Sequence, residues 1–116
     1  MKIIPSEKAI DCHHAVQCIF NLNDLDIKVY KELKKKDDIR ADELADILHK
    51  ERSTVYRSLQ KLTKCGICIK KTKTLEKGGY YHQYTCSNNR TIKKSAEKCL
   101  EDWYHLMKKT LSHLNE

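Results

Sequence analysis

The chain has 116 residues, which is enough for one domain with one modest hydrophobic core. Its formal net charge of +7 favours a polyanionic partner, most simply nucleic acid, although a basic surface that serves only solvation is the alternative. No segment approaches the roughly 20 apolar residues that span a bilayer, and the first residues lack a signal peptide's apolar core, so we expect a cytoplasmic protein without a membrane partner.

The helical spacing of apolar residues predicts two helices at the start of the chain. The first is expected from Ser6 to Asn21, with Ser6 as its N-cap. The second covers residues 25–36 and is capped by Asn23 or Asp24. It ends in a run of lysines, which suits the negative end of the helix dipole.

Two further helices are predicted on either side of a tight turn at residues 49–51. Ile39 is expected to be a single-residue strand or a core residue just before the first of them, which begins at Ala41 or Asp42. In the second, apolar residues recur at i, i+4 and i+7, the spacing of a single buried stripe. These residues are Val55, Leu59 and Leu62.

The remaining positions of that second helix carry side chains that can bond a nucleic acid: Arg52, Ser53, Thr54, Tyr56, Arg57, Gln60, Lys61 and Lys64. A recognition helix needs this distribution, because its inner face packs on the core and its outer face meets base edges and phosphates. Arg52, Lys61 and Lys64 could bond the phosphates of any sequence. Arg57 could form a bidentate pair with guanine, and Gln60 with adenine. A solvated amphipathic helix without a ligand is the alternative.

A basic hairpin is predicted after this helix. Gly66 is placed to end the helix, because a left-handed conformation costs glycine least. Residues 67–86 are β-branched and aromatic at both ends and reverse at residues 76–79, as in a β-hairpin. The lysines of this segment include Lys70, Lys71, Lys73 and Lys77.

The C-terminal segment predicts a long helix, capped by Asn88 or Asn89 and running to about His113. Its apolar residues form a heptad-like stripe and a neighbouring stripe, namely Ile92, Ala96, Cys99, Trp103 and Leu106, and Leu100, Met107, Leu111 and Leu114. Two stripes are more than one small domain readily covers, so we predict a homodimer through this helix. A helix that lies across its own core is the alternative.

The order of these elements is that of a winged helix, and the chain resembles a known family from about Leu22 to Leu114. The segments that carry the resemblance are LNDLDIKVYKEL, ELADILHKERSTVYRSLQKLTKCG and KTKTLEKGGYYHQY. They resemble the small archaeal winged-helix regulators allied to the TrmB and MarR groups. We therefore expect one mostly α domain with a small β-hairpin wing: an N-terminal helix in residues 1–22, a winged-helix core in 23–86 and a dimerisation helix in 87–116.

The resemblance implies a dimeric, sequence-specific regulator that acts at promoter DNA. By position, it would place six side chains of the recognition helix at the major groove: Arg52, Ser53, Thr54, Tyr56, Arg57 and Gln60. It would bring Lys71, Lys73 and Lys77 to the flanking backbone or minor groove. Full TrmB proteins add a sugar-binding domain for which this chain has no length, so the resemblance does not imply sugar sensing.

The cysteines leave a metal- or thiol-responsive regulator open as an alternative. In a cytoplasmic protein the six cysteines are thiols, metal ligands or redox groups and not a disulfide framework. Cys65 and Cys68 have knuckle-like spacing, Cys86 could approach Cys68 across the hairpin, and His14 and Cys18 share a helical face. A single C-x2-C pair is weak evidence for zinc, and free cysteines are commonly small buried residues. We therefore expect no metal site and no cofactor.

Another alternative is a winged helix that binds a protein of the transcription machinery. Its contact surface would be the aromatic part of the hairpin: Tyr80, Tyr81 and Tyr84. The polar outer face of the recognition helix argues against this reading. No nucleophile elbow, P-loop or dinucleotide fingerprint is present in the sequence, so we do not expect an enzyme.

Overall fold

The computed structural model describes residues 12–115, which form five α-helices, one antiparallel hairpin and a terminal 3-10 turn. The elements are α1 (Cys12–Ile19), α2 (Asp24–Lys35), α3 (Ala41–Leu48), α4 (Arg52–Lys64), β1 (Cys68–Thr74), β2 (Tyr80–Cys86), α5 (Asn89–Leu111) and the 3-10 turn (Ser112–Asn115). The predicted winged-helix architecture is confirmed. The part of the first helix predicted before residue 12 lies outside the described residues. Its predicted end at Asn21 is too late, because α1 ends at Ile19 and Asn21 is left-handed, with a φ of 53°.

The hydrophobic core lies between α2, α3 and α4. The predicted apolar stripe of α4 faces inward, and α4 packs against both other helices. The central side chains are at most 1% exposed: Val29, Leu33, Leu44, Val55, Leu59 and Leu62. Complete burial of one such side chain contributes about 1.5–3 kcal/mol. This stripe therefore holds the inner face of α4 and leaves the opposite face free.

A single-residue bridge between α2 and α3 adds to the contacts that join the hairpin to the core. The strands β1 and β2 pair in antiparallel register from Cys68 opposite Cys86 to Thr74 opposite Tyr80. Ile39 adds a bridge to β2: its N–H donates to the Tyr84 carbonyl at 2.9 Å, and the Tyr84 N–H donates back at 2.7 Å. Ile39 is 2% exposed, which confirms the prediction of a single-residue strand in the core.

Local signals fix the ends of the helices. Asn23 caps α2 in a capping box, because its side chain accepts the Asp26 N–H while the Asp26 carboxylate accepts the Asn23 N–H. His49 leaves α3 with a left-handed φ of 54° and turns the chain toward α4. At the start of α5, the Asn88 side chain accepts the Thr91 N–H at 2.8 Å. These caps confirm the helix starts that the sequence predicts.

The C-terminal helix leaves most of its apolar surface uncovered. Ile92 is its one buried residue, and α5 contacts α1, with the Cys99 sulfur 3.7 Å from the Ile19 carbonyl oxygen. Farther along, the exposed fraction rises from 40% at Trp103 to 63% at Leu111, and Leu114 in the terminal turn is 80% exposed. Within residues 12–115, no helix combines the length and apolar character needed to cross a membrane.

Gly66 joins α4 to β1 in a position that disfavours other residues. It has a φ of +79°, and a Cβ there would lie 2.5 Å from the Ser95 Oγ of α5. We expect Gly66→Ala to lower the free energy of unfolding by about 2–3 kcal/mol, through left-handed strain and crowding. Gly78→Ala is the matched control, because it has a φ of +92° but meets nothing within 4 Å. It should lose only about 1–2 kcal/mol. Equal losses in denaturant titrations would contradict the close packing of Gly66 on α5.

Candidate nucleic-acid interface

The outer face of α4 presents most of the predicted contact residues to solvent. Arg52, Ser53, Arg57, Gln60 and Lys64 are exposed, and the other three predicted residues of this helix are half-buried, namely Thr54, Tyr56 and Lys61. No exposed residue of α4 is apolar. The helix therefore offers a continuous polar surface of hydrogen-bond donors and acceptors, as direct contact with DNA requires.

One buried carboxylate connects this helix to α2, a contact that no pattern in the sequence predicts. Asp26 is 2% exposed and accepts three hydrogen bonds. The donors are the Ser58 hydroxyl, the Lys61 Nζ at 2.8 Å and the Asn23 backbone N–H at 3.0 Å. Because Ser58 and Lys61 both belong to α4, the carboxylate joins the first turn of α2 to the middle of the recognition helix.

The Asp26 carboxyl is held in its ionised form. Burial alone would raise its pKa, but the hydrogen bonds from Lys61, Ser58 and Asn23 and the positive charge of Lys61 outweigh burial. The pKa of Asp26 therefore lies below its ordinary value of 3.8. Lys61 also donates to the Asn21 carbonyl at 2.9 Å, so its ammonium group is held by the protein from two sides. These bonds use two of its three N–H donors, so at most one N–H of Lys61 is left for a phosphate.

The lysines of the hairpin differ in whether they already pair with an acidic side chain. Lys73 and Lys77 are exposed, as is Lys70. Lys71 forms an ion pair with Asp38, with 3.1 Å between its Nζ and the carboxylate, and both side chains are about two-fifths exposed. Exposed pairs of this kind contribute about 0–1 kcal/mol. Lys71 can therefore exchange this partner for another anion at little cost.

The aromatic side chains of β2 do not form one exposed surface. Tyr80 is 67% exposed, whereas Tyr84 is 2% exposed and belongs to the core. Tyr81 is half-buried, with the Arg40 guanidinium carbon 4.7 Å from its ring centroid. The expectation that these tyrosines form a shared contact surface is therefore wrong for Tyr84, because the bridge to Ile39 holds that residue inside the fold.

The thiols near the hairpin are protonated at neutral pH. Burial raises the pKa of Cys68 to about 11, although the Thr63 hydroxyl, 3.2 Å from its sulfur, opposes the rise. Burial also raises the pKa of Cys65 and of Cys86, which faces Cys68 across the strands as anticipated. In the described part of the chain, no three His, Cys, Asp or Glu side chains are grouped to hold a metal ion. The His14 side chain lies outside what the structure describes.

The fold defines a winged-helix protein, and its family is that of transcriptional regulators. Residues 16–89 match the family model described as "Sugar-specific transcriptional regulator TrmB". Two proteins of Methanocaldococcus jannaschii are similar: MJ1503 is 32% identical over 97 residues, covering 84% of this chain and 74% of its own, and MJ1082 is 30% identical over 114 residues, covering 98% and 94%. The chain belongs to the TrmB family of transcriptional regulators.

A solved structure agrees with this assignment. A possible transcriptional regulator from Methanosarcina mazei superposes with a TM-score of 0.74 at 25% identity, covering 98% of this chain and 97% of that protein. The similarity includes the helices at both ends as well as the central winged helix, because nearly all of both chains is covered. The chain is thus similar to archaeal regulators over almost its whole length.

The Asp26 network predicts a pH-dependent contribution to stability. Its ionised form contributes fully above the unfolded-state pKa, and the contribution is lost as the pH falls through the lower folded-state value. We expect Asp26→Asn to cost about 1–3 kcal/mol at pH 7, because Lys61 and Ser58 lose an ionised acceptor.

Denaturant titrations from pH 7 to pH 2 measure this contribution. The gap between wild type and Asp26→Asn should be constant above about pH 5 and should narrow as the pH falls below 3.8. Asp46→Asn removes an exposed carboxylate from α3 and should change stability by less than about 0.5 kcal/mol. A gap that is independent of pH would contradict the ionised network.

Proposed function

We propose that the chain is a sequence-specific DNA-binding regulator that acts as a homodimer at promoter DNA. The observation that carries this proposal is the outer face of α4, where exposed polar and basic side chains stand opposite a fully buried apolar stripe. The lysines of the adjacent hairpin add positive charge beside this face. Membership of the TrmB family supports the proposal at the level of transcriptional regulation.

The side chains of the interface divide by the contacts they can make. Ser53, Arg57 and Gln60 are exposed on α4 and have the donor and acceptor geometry to read base edges in a major groove. Arg52 and Lys64, one at each end of the helix, suit phosphates on either side of the groove. Thr54 and Tyr56 are half-buried, so their contacts would be limited to sugar, phosphate or a thymine methyl group.

The remaining basic residues would act mainly through charge. Lys73 and Lys77 are exposed on the hairpin and would reach the flanking backbone or minor groove. Lys71 would join them by leaving Asp38 for a phosphate. Lys61 instead supports the site from within, because its ammonium group holds Asp26 and the Asn21 carbonyl. This division predicts a strong dependence of affinity on salt, with sequence preference concentrated on α4.

The homodimer would form through α5. Its apolar side chains are largely uncovered in the single chain, and they continue for several turns beyond the contact with α1. Apolar side chains at heptad-like spacing on a long helix favour packing against a second helix of the same kind. A two-fold dimer would present two copies of α4, which suits a nearly palindromic site with half-sites about one helical turn apart.

The two alternatives receive less support from the geometry. A protein-binding wing would lack Tyr84, which is in the core, and would expose mainly Tyr80. A thiol-responsive regulator would have to use Cys65, Cys68 and Cys86, and burial raises the pKa of all three thiols. A raised pKa lowers the thiolate fraction on which metal binding and oxidation depend.

Substitutions on α4 and on the hairpin should affect DNA binding differently. After selection of the preferred sequence from random DNA, Arg57→Ala should weaken the best site by about 1–3 kcal/mol and reduce discrimination against a scrambled duplex. Lys73→Ala should weaken both duplexes about equally and reduce the salt slope by about 1. Fluorescence anisotropy at several salt concentrations separates the two effects. If Arg57→Ala binds its best site as tightly as wild type, α4 does not read bases as proposed.

A charge on the exposed stripe of α5 should disrupt the dimer. Leu111 is 63% exposed in the single chain, so Leu111→Glu should leave the fold intact. In the dimer the new carboxylate would be buried, and we expect self-association to weaken by at least about tenfold. His105→Glu adds a carboxylate on the side of α5 away from Trp103 and serves as the control. Sedimentation velocity measures both variants, and a monomeric wild type at micromolar concentration would argue against the dimer.

A further inference from the structure

We propose that a cavity beside the recognition helix binds a single phosphate group. The cavity has a volume of about 360 Å³ and lies between the N-terminus of α3, the N-terminus of α4 and the strand β2. Two arginines, Arg40 and Arg52, line it together with several tyrosines, among them Tyr56, Tyr81 and Tyr84. Guanidinium groups and phenol hydroxyls are strong donors, and phosphate oxygens are acceptors at every edge.

Tyr84 is the observation that points to a ligand. It is 2% exposed, yet among residues 12–115 its hydroxyl has no hydrogen-bond partner. The hydroxyl is not sealed inside the protein, because among these residues Ser87 Oγ is the one fully enclosed side-chain oxygen or nitrogen without a partner. It therefore opens to the cavity that Tyr84 lines, where an acceptor would complete its hydrogen bonding.

The surroundings of the Tyr84 hydroxyl agree with this orientation. Burial raises the pKa of Tyr84, Tyr56 adds to the rise, and the positive charge of Arg52 opposes it. Cys68, which does not line the cavity, also adds to the rise, whereas Tyr56 and Arg52 both line the cavity. With a raised pKa, the phenol keeps its proton at neutral pH and can donate it to an anion.

The positive charge of the cavity is held in place but is not neutralised. The Arg40 guanidinium lies over the Tyr81 ring, which limits its motion. It also pairs with Asp42, with 3.6 Å between its Nε and the carboxylate, and among the described residues Asp42 is the one acidic residue that lines the cavity. Both side chains of this pair are about half-exposed, so the pair is weak and leaves Arg40 available to a phosphate.

Two helix N-termini add to the positive electrostatic potential of the cavity. Ala41 and Asp42 of α3 and Arg52 of α4 line the cavity, and neither helix has a side-chain cap that would satisfy its first N–H groups. Uncapped N–H groups and the positive ends of helix dipoles favour anions. The cavity thus combines fixed guanidinium charge, a buried phenol donor and two uncapped helix starts.

The phosphate could belong to the DNA backbone or to a free phosphate-bearing molecule. Because Arg52 and Tyr56 belong both to the cavity and to α4, a backbone phosphate there would fix the recognition helix against the groove. In this form the inference rests on the proposed function. A free phosphate would occupy the same donors and compete with DNA.

The test is Tyr84→Phe, which removes the donor and keeps the ring. In the first experiment, inorganic phosphate is titrated into tyrosine-labelled protein and followed by NMR, with sodium chloride at equal ionic strength as reference. Phosphate should shift the ring signals of Tyr56, Tyr81 and Tyr84 saturably in the wild type. In Tyr84→Phe, the Tyr56 and Tyr81 signals should report about tenfold weaker binding. Tyr30→Phe alters an equally buried tyrosine outside the cavity and should behave as wild type. Arg40→Gln provides a second variant should Tyr84→Phe unfold.

The second experiment identifies the source of the phosphate. Duplexes that carry one neutral methylphosphonate at successive positions are bound to wild type and to Tyr84→Phe. A position that weakens the wild type about tenfold but leaves Tyr84→Phe unchanged assigns the cavity to a DNA phosphate. Saturable phosphate shifts without such a position assign it to a free phosphate. If phosphate causes no shift beyond chloride and no position couples, the inference is overturned. Failure of the wild type to bind any duplex would overturn the proposed function. The phosphate titration of the first experiment would still test whether the cavity binds phosphate.

Discussion

Apolar contacts hold α4 against the core, but such contacts are non-directional and do not by themselves fix the rotation of a helix. The Asp26 carboxylate supplies the missing direction. It is enclosed at the start of α2 and accepts from Ser58 and Lys61 on α4, so a rotation of α4 would leave a buried charge without two of its three donors. An unpaired buried charge is far more costly than a lost apolar contact. The angle at which Arg57 and Gln60 face outward therefore depends on a side chain that never reaches the surface.

The other parts of the interface are fixed to the same frame. The left-handed residue His49 sets the turn into α4, and Gly66 sets the exit toward β1. The reciprocal hydrogen bonds of Ile39 and Tyr84 attach β2 to the segment between α2 and α3. The hairpin and the recognition helix thus share one rigid support. This support would favour the proposed contact with DNA, because a surface that is already ordered loses little conformational entropy on binding.

Most of the fold could be predicted because its signals are local. The spacing of Val55, Leu59 and Leu62 marks one helix face, and a glycine after the helix marks its end. The link between Asp26 and Lys61 could not be predicted in this way, because the two residues are 35 positions apart and only the packing of α2 on α4 brings them together. The same holds for Tyr84. It lies in a polar and aromatic strand of the kind expected at a surface, but its bridge to Ile39 buries it. For the candidate site, the sequence predicted the exposed face of α4 but not the two internal hydrogen bonds of the half-buried Lys61.

The lysines of β1 lie along the unpaired edge of the hairpin, where they affect aggregation as well as binding. β2 is paired on one side with β1 and bridged on the other by Ile39, whereas β1 pairs only with β2 among the described residues. Unpaired edge strands recruit strands from other molecules and so promote aggregation, and lysines along the edge oppose this through charge and hydration. β1 carries Lys70, Lys71 and Lys73 along its length. The positive charge of this strand therefore protects the free protein from intermolecular β-pairing, and variants that neutralise it should lose colloidal stability in the absence of a polyanion.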